Sequence, residues 1–368
     1  MNVVIAGAGP GGLAAAIALA RKGVQVDLYE RSPQLRAAGG PIVLWPYAAR
    51  RLLDLVGELG ATAQRFSHVH TRGWDARLVR VLPAEQLIGR SNAPIVALPR
   101  SDLIRCLAEH QPKPIHLGTA VVGLAQGPEQ VVVHLSDGTT RTCDALLGAD
   151  GSHSEVRTAL HGPLPICGTE IVAWLGMSTT GLWASPDTLT SYLGQGKRFL
   201  HLPTRDGAVW WYAYVQASAS PADATDLRTV FRHWAPAVID AIDATEPAQI
   251  LRVPVSDRPP LPRWGQGRVT LLGDAAHTCT PDLGQGACLA LEDAATLAST
   301  LRDDIPAWLA AYETARRRHA TGRQHASRAA SDLSMPDDAV GNQLRELATR
   351  AAPDAVTAAV FGWLFSGG

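Results

Sequence analysis

The sequence predicts an α/β chain: a parallel-sheet unit of dinucleotide-binding type, interrupted by an inserted, mainly antiparallel sheet and closed by C-terminal helices. Three observations predict it. Residues 2–30 read as strand, glycine turn, helix and second strand. Over residues 167–216 helix signals fade, and strand-like runs rich in Trp, Tyr, Val and Thr alternate with turns. A buried strand and two helices then follow from Val269 onward.

The elements follow in order. Residues 2–6 are apolar on both faces, as a buried parallel strand requires. Residues 11–22 form an Ala/Leu-rich helix ending near Gly23, and Val24 to Glu30 a second strand. Residues 101–110 read as a helix with Ser101 at its N-cap. Val131–Leu135 and Thr139–Cys143 flank Ser136-Asp137-Gly138, the turn chemistry of a hairpin. Ala145–Gly148 is a short buried strand, and Val209–Val215 is the clearest strand of the inserted sheet. Residues 226–243 read as one amphipathic helix, Val269–Leu272 as a buried strand, 286–301 as the helix after it, and 305–331 as a long helix starting at Pro306.

With 368 residues the chain suits two intimately joined domains, and its 46% apolar and 18% charged residues are ordinary for a globular protein. A net charge of −1 speaks against nucleic acid or an acidic membrane surface as partner. The run Arg316-Arg317-Arg318 is expected on the solvated face of a helix. Five cysteines without a CxxC pair argue against a disulfide framework or a metal site and for free thiols in a reducing cytoplasm. The apolar start is broken by five glycines and prolines within residues 7–12, unlike a signal peptide, and no apolar run is long enough to span a bilayer. The apolar segment 358–365 is expected to pack on the core or to mediate dimerisation, in a monomer or homodimer.

Three motifs carry chemistry. The first is Gly7-Ala8-Gly9-Pro10-Gly11-Gly12, a G-x-G-x-x-G between strand and helix. Gly7 permits the tight turn, Gly9 lets a pyrophosphate approach the backbone, and Gly12 lets the helix pack close to the strand. The helix start then offers N–H groups and a positive dipole end to phosphates. Glu30 ends the next strand, where a carboxylate accepts from an unphosphorylated ribose, so the site suits FAD or NAD. The second motif is Gly148-Ala149-Asp150-Gly151, continuing to Arg157. The third is Gly273-Asp274-Ala275-Ala276-His277, running through Pro281 to Gly284-Gln285-Gly286 and into a helix. No second G-x-G-x-x-G exists, so a nicotinamide cofactor is expected to bind transiently.

In this order the motifs resemble those of the group A FAD-dependent aromatic hydroxylases, the family of p-hydroxybenzoate and salicylate hydroxylases. Pro41–Pro46, Gly194–Arg198 and Thr280–Gly286 look like segments of the bacterial FAD-dependent urate hydroxylases. The resemblance implies a Rossmann-like FAD-binding domain (1–70, 99–165 and 265–304), a substrate domain (71–98 and 166–264) and C-terminal helices (305–368). It implies hydroxylation or epoxidation of a small aromatic or heteroaromatic substrate through a flavin C4a-hydroperoxide, with NADH or NADPH as co-substrate. It implies that Gly7, Gly9, Gly12, Glu30 and Arg31 lie at the ADP half of FAD. Arg100 would meet the ribityl–phosphate region, Asp274 the ribityl hydroxyls, and the backbone of Gly284, Gln285 and Gly286 the flavin's pyrimidine edge. Asp150 and Arg157 belong to the motif linked to both FAD and NAD(P)H. A helix start beside that edge would stabilise the negative charge of reduced flavin.

On the substrate side, strand alternation puts Trp210, Tyr212 and Tyr214 on one face and Trp211, Ala213 and Val215 on the other. Arg198 matches a substrate-contacting arginine of the urate hydroxylases, and a guanidinium can grip a carbonyl or anion in bidentate fashion. His201 is a candidate proton acceptor, and Pro281 a further site residue. Trp210 stands where the urate enzymes carry a substrate-contacting tyrosine, which points toward a more apolar ring than urate. His277 and Cys279 read as packing residues. Competing readings are a tetracycline-type or other natural-product tailoring monooxygenase and a non-catalytic flavin-fold binding protein. The Trp-x-Trp-x-Ile-Pro string of flavin halogenases is absent.

Overall fold

The computed structural model describes residues 1–35, 39–88, 92–181, 184–219 and 226–365, apart from the side chains of Ile88, Ala358 and Phe365. Its first layer is a five-stranded sheet in the order Val269–Leu271, Ala145–Gly148, Asn2–Ala6, Gln25–Glu30, His116–Leu117. All four pairings are parallel. Val3, Val4 and Ile5 are fully buried, because helices cover both faces of such a sheet. The first helix, Pro10–Ala20, is buried along nearly its whole length. It packs on the Gly286–Ser299 helix so closely that a Cβ on Gly11 would come within 3.2 Å of the Ala290 Cβ.

The second layer is a seven-stranded sheet. Its order is Leu251–Asp257, Cys167–Ser178, Val209–Gln216, Lys197–Pro203, Thr188–Gly194, His68–Gly73, Leu78–Pro83. Only the Thr188–Gly194 and His68–Gly73 pair is parallel. One face of this sheet turns toward the first layer. The other is covered by short helices through a second core containing Phe199, Trp211, Phe231 and Val238. Ile95–Leu98 pairs with Ile42–Leu44 and Gln64–Phe66 in a small separate sheet. The hairpin of Val131–Leu135 and Thr140–Cys143 is present, with Val121–Gln126 as its third strand.

Three local expectations change. The predicted helix over 226–243 is two helices, Leu227–Phe231 and Pro236–Asp243. Pro236 cannot donate to a preceding turn and forces Ala235 into extended backbone, so the helix restarts there. The helix near 101 begins at Arg100 after Pro99, and Ser101 lies inside its first turn without capping it. Of the three consecutive arginines, Arg317 and Arg318 are solvated as expected. Arg316 is 2% exposed and ion-paired to Asp293 and Glu292 at 2.9 and 3.0 Å.

The Ile305–Ser334 helix packs against the Gly286–Ser299 helix, and Ala339–Ala351 and Asp354–Phe365 follow it. The last helix packs on the core through Leu364, while Val356, Val360 and Trp363 stay about half exposed. All five cysteines are free. Among the described residues no helix is long and apolar enough to cross a membrane, and no cluster of His, Cys, Asp or Glu could hold a metal ion.

Candidate active site

The site grows from the end of the first strand. Gly7 adopts φ +101°, where an L side chain is strained, and its N–H donates to the Tyr29 carbonyl (2.7 Å). A Cβ on Gly7 would lie 2.4 Å from the Ala149 carbonyl oxygen, and one on Gly12 only 1.9 Å from that of Gly7. These two glycines are therefore required by the protein's own packing. Gly9 differs: a Cβ there would meet nothing within 4 Å. The first intrahelical bond is Leu13 N–H to Gly9 C=O (3.0 Å), so the amides of Gly11 and Gly12 precede it and stay available to a ligand. Glu30 braces the turn, accepting from Ala8 N–H and Ser32 N–H at 2.9 Å each. Arg31 beside it is exposed.

Gly9 and Gly11 open into a cavity of about 470 Å³ that runs between the two layers. Asp274 begins a one-turn helix and projects its exposed carboxylate into this space. Gly273 before it takes φ +58° and ψ −145°, a region open only to glycine. Farther along, Gly284 is left-handed, Gln285 caps the Gly286–Ser299 helix, and all three residues from Gly284 to Gly286 line the cavity. The Trp45 indole donates to the Leu283 carbonyl (2.8 Å), and the Tyr47 hydroxyl donates to Gln285 Oε1 (2.7 Å). Arg100 and Pro281 also line the cavity.

The opposite wall comes from two paired strands. Arg198 stands across from Tyr214, Leu200 from Tyr212 and Leu202 from Trp210. Arg198, Leu200, Tyr212 and Tyr214 line the cavity. Arg198 is 8% exposed, its Nη2 lies 2.9 Å from Asp282 Oδ1, and its guanidinium stacks 4.4 Å above the Tyr214 ring. Burial pushes the Tyr214 hydroxyl up to about 12 although Arg198 works against it. Burial also pushes Tyr212 far up, and its hydroxyl donates to the Pro41 carbonyl (2.7 Å).

The FAD binding domain family matches residues 1–327 of this chain. The chain belongs to that family. It is 33% identical to the FAD-dependent urate hydroxylase of Mycolicibacterium vanbaalenii, over 92% of this chain and 90% of that one. It is 34% identical to the aurachin C monooxygenase/isomerase of Stigmatella aurantiaca, over 86% and 85%. The crystal structure of Klebsiella pneumoniae HpxO with FAD and uric acid superposes at a TM-score of 0.92 and 28% identity, over 100% of this chain and 97% of that one. The chain is accordingly an FAD-dependent monooxygenase of α/β fold.

FAD fits what the residues provide. The glycine turn presents the Gly11 helix-start amide to the cavity, a second helix start and a carboxylate line the same cavity, and its length joins them. Of the expected cofactor residues, Gly9, Arg100, Asp274, Gly284, Gln285 and Gly286 line the cavity directly, whereas Gly7, Gly12 and Glu30 shape the turn from behind. Asp150 does not line it, although Ala149 and Gly151 do. Its carboxylate accepts from Glu155 and Val156 N–H at 2.8 and 3.2 Å, and burial raises its pKa. Arg157 faces away, donating to the Ala275 and Ser152 carbonyls, with burial lowering its pKa to about 10.

On the sheet side of the cavity two expectations change. His201 is on the far face of the sheet, 2% exposed, with the Tyr192 and Phe199 rings each 5.1 Å away. Strand alternation explains this: it is three residues from Arg198 and so points the other way. Burial lowers its pKa to about 3, and it does not reach the cavity as a proton acceptor. Trp210 is absent from the lining and packs against the main core. The expected loss of a phenol from the site therefore does not follow, because Tyr212 and Tyr214 both supply one. Cys279 lines the cavity, and His277 is fully buried with Nε2 2.6 Å from Asp293 Oδ2. Sequence reading missed Asp282. Its signal was available: a carboxylate inside the Thr280–Gly286 segment, facing an arginine that needed a counterion.

Proposed function

We propose that this chain uses NAD(P)H and O2 to hydroxylate or epoxidise a small, flat aromatic or heteroaromatic molecule held between the flavin and the Arg198–Tyr214 wall. The observation that carries this reading is the buried, Asp282-paired Arg198, set in the same cavity as the glycine turn and the Gly284–Gly286 helix start. Bound FAD supplies the redox chemistry, passing electrons from NAD(P)H to O2 and one oxygen atom to the ring. The protein's residues bind, orient and keep water out.

At the ADP end, Gly7, Gly9 and Gly12 would let pyrophosphate meet the helix start, with Glu30 at the ribose and Arg31 at the rim. Arg100 and Asp274 would hold the ribityl and phosphate region. Amides of Gly284 to Gly286 would donate to the pyrimidine edge. Arg198 would grip a carbonyl or anionic oxygen of the substrate, while Tyr212, Leu200 and Pro281 form a flat, mostly apolar slot. The Arg198 guanidinium beside it favours the charged form of a phenolic or enolic substrate oxygen, which makes the ring electron-rich. Asp150 would act indirectly, fixing the helix that follows it so that the Gly151 backbone faces the cofactor.

Leu189, Leu200, Ile42 and Phe361 in the lining also favour larger, more apolar natural-product rings, the tailoring reading. A reducing cytoplasmic setting agrees with the five free thiols. The test is a panel of urate, indoles, salicylate-like acids and quinolones, scored by stimulated NAD(P)H consumption and product mass. A ring that accelerates consumption and gains one oxygen is expected. No stimulation by any of them, in a protein that holds FAD, would contradict the substrate class.

A further inference from the structure

Behind the cavity wall lies a buried chain of charges that none of the roles above uses. Asp293, on the Gly286–Ser299 helix, is fully buried. Its Oδ2 accepts from Gly273 N–H at 2.9 Å and lies 2.6 Å from His277 Nε2, while its Oδ1 accepts from Arg316 Nε at 2.9 Å. Burial alone would raise its carboxyl, but His277, Arg316 and the Gly273 amide outweigh that and hold it at about 2. Arg316 continues to Glu292 (3.0 Å), and Glu292 to Arg323 (3.6 Å). Arg323, itself fully buried, lies 5.0 Å over the Tyr47 ring, and the Tyr47 hydroxyl ends on Gln285.

The two ends of this chain are the two backbone segments that line the cofactor cavity. One end fixes the glycine before Asp274; the other fixes the cap of the Gly286–Ser299 helix. None of Asp293, Glu292, Arg316, Arg323 or Tyr47 lines the cavity. Two buried carboxylates, Asp293 and Glu292, held by two buried arginines, Arg316 and Arg323, are costly to assemble, and apolar residues of like volume would hold the helices at least as well. What apolar residues cannot do is hold the Gly273 N–H, in a turn that only glycine adopts, at a fixed angle.

We propose that Asp293 and Arg316 are positioning residues for the flavin: from behind the wall they set the Gly273–Asp274 turn and, through Glu292, Arg323 and Tyr47, the Gln285 cap. This rests on the reading that Asp274 and Gly284–Gly286 face FAD. The effect is expected in cofactor affinity and in the visible spectrum of bound flavin, both of which can be read without turnover.

Four variants test it. Asp293→Asn and Arg316→Gln each leave a buried charge unbalanced and are expected to weaken both fold and FAD binding. The double variant D293L/R316M removes both charges together with the acceptor for the Gly273 N–H, and leaves Glu292 beside Arg323. It is expected to unfold near the parent's temperature, yet to bind FAD about tenfold or more weakly, with a shifted flavin absorption band. A folded double variant with the parent's FAD affinity and spectrum would overturn the proposal. Should the double variant not fold, Tyr47→Phe decides. Loss of that one hydroxyl is expected to weaken FAD a few-fold and shift the band, and an unchanged affinity and spectrum would overturn the proposal equally. A parent protein that cannot be loaded with FAD at all would instead refute the cofactor placement on which the proposal rests.

Discussion

Arg198 and Asp282 form a buried ion pair, Nη2 to Oδ1 2.9 Å, that ties the inserted sheet to the loop in front of the Gly286–Ser299 helix. Both partners line the cavity, so on the proposed reading the pair sets the spacing between the substrate wall and the flavin edge. Arg198→Ala is expected to raise KM by about tenfold or more with FAD still bound, and to cost about 3 kcal/mol because Asp282 is left buried alone. Arg198→Lys is expected to rescue little, since an ammonium cannot both stack on Tyr214 and reach Asp282. Steady-state kinetics and thermal unfolding of the variants check this. A normal KM in Arg198→Ala would remove the residue from the substrate site.

Gly12 and Gly9 of the first turn separate packing from ligand binding. Gly12→Ala puts a Cβ 1.9 Å from a backbone oxygen, so it is expected to yield little folded protein. Gly9→Ala has room in the protein itself and is expected to fold normally, but to lose FAD affinity because its methyl occupies ligand space. Comparing circular dichroism with flavin fluorescence distinguishes the two.

Asp274→Ala removes an exposed carboxylate that no packing requires. Unfolding of the cofactor-free protein is expected to stay within a few tenths of a kcal/mol of the parent. FAD affinity is expected to fall about ten- to a hundredfold, the effect of losing a charge-assisted hydrogen bond.

His201 gives a pH signature that is structural. Its imidazole is lowered from 6.5 to about 3 by burial, so below pH 6.5 the unfolded chain takes up a proton that the folded chain refuses. Stability is therefore lost as pH falls from 6.5 toward 3, by up to about 1.4 kcal/mol per unit for this group. His201→Leu is expected to flatten that acid limb while leaving the pH profile of kcat/KM unchanged. A change in the kinetic profile would return His201 to the chemistry.

The glycine turn and the second helix start of the cavity were legible because their signals are local. Gly7, Gly9 and Gly12 are dictated by one turn, and Asp274 and Gly284–Gly286 by another. The sheet wall of the cavity was legible only where one strand suffices: alternation placed Tyr212 and Tyr214 opposite Trp211 correctly. It should equally have excluded His201, which has opposite parity to Arg198 on the same strand. Trp210 has the right parity yet misses the cavity, because how far the wall extends depends on the neighbouring layer. Asp282 and Arg316 escaped because burial of a charge is a long-range fact: their partners, Arg198 and Asp293, are 84 and 23 residues away. The break at Pro236 was readable from the proline alone.

The most direct test of the central claim is mass analysis of product formed under isotopically labelled O2, with NAD(P)H consumption followed in parallel, for the parent and for Arg198→Ala. One labelled oxygen atom in an aromatic product, at near one NAD(P)H consumed per product in the parent and a much poorer ratio in the variant at equal FAD content, is the expected result. Equal product and equal ratios in both proteins would contradict the placement of the ring against Arg198, and so the account of this cavity as its binding site.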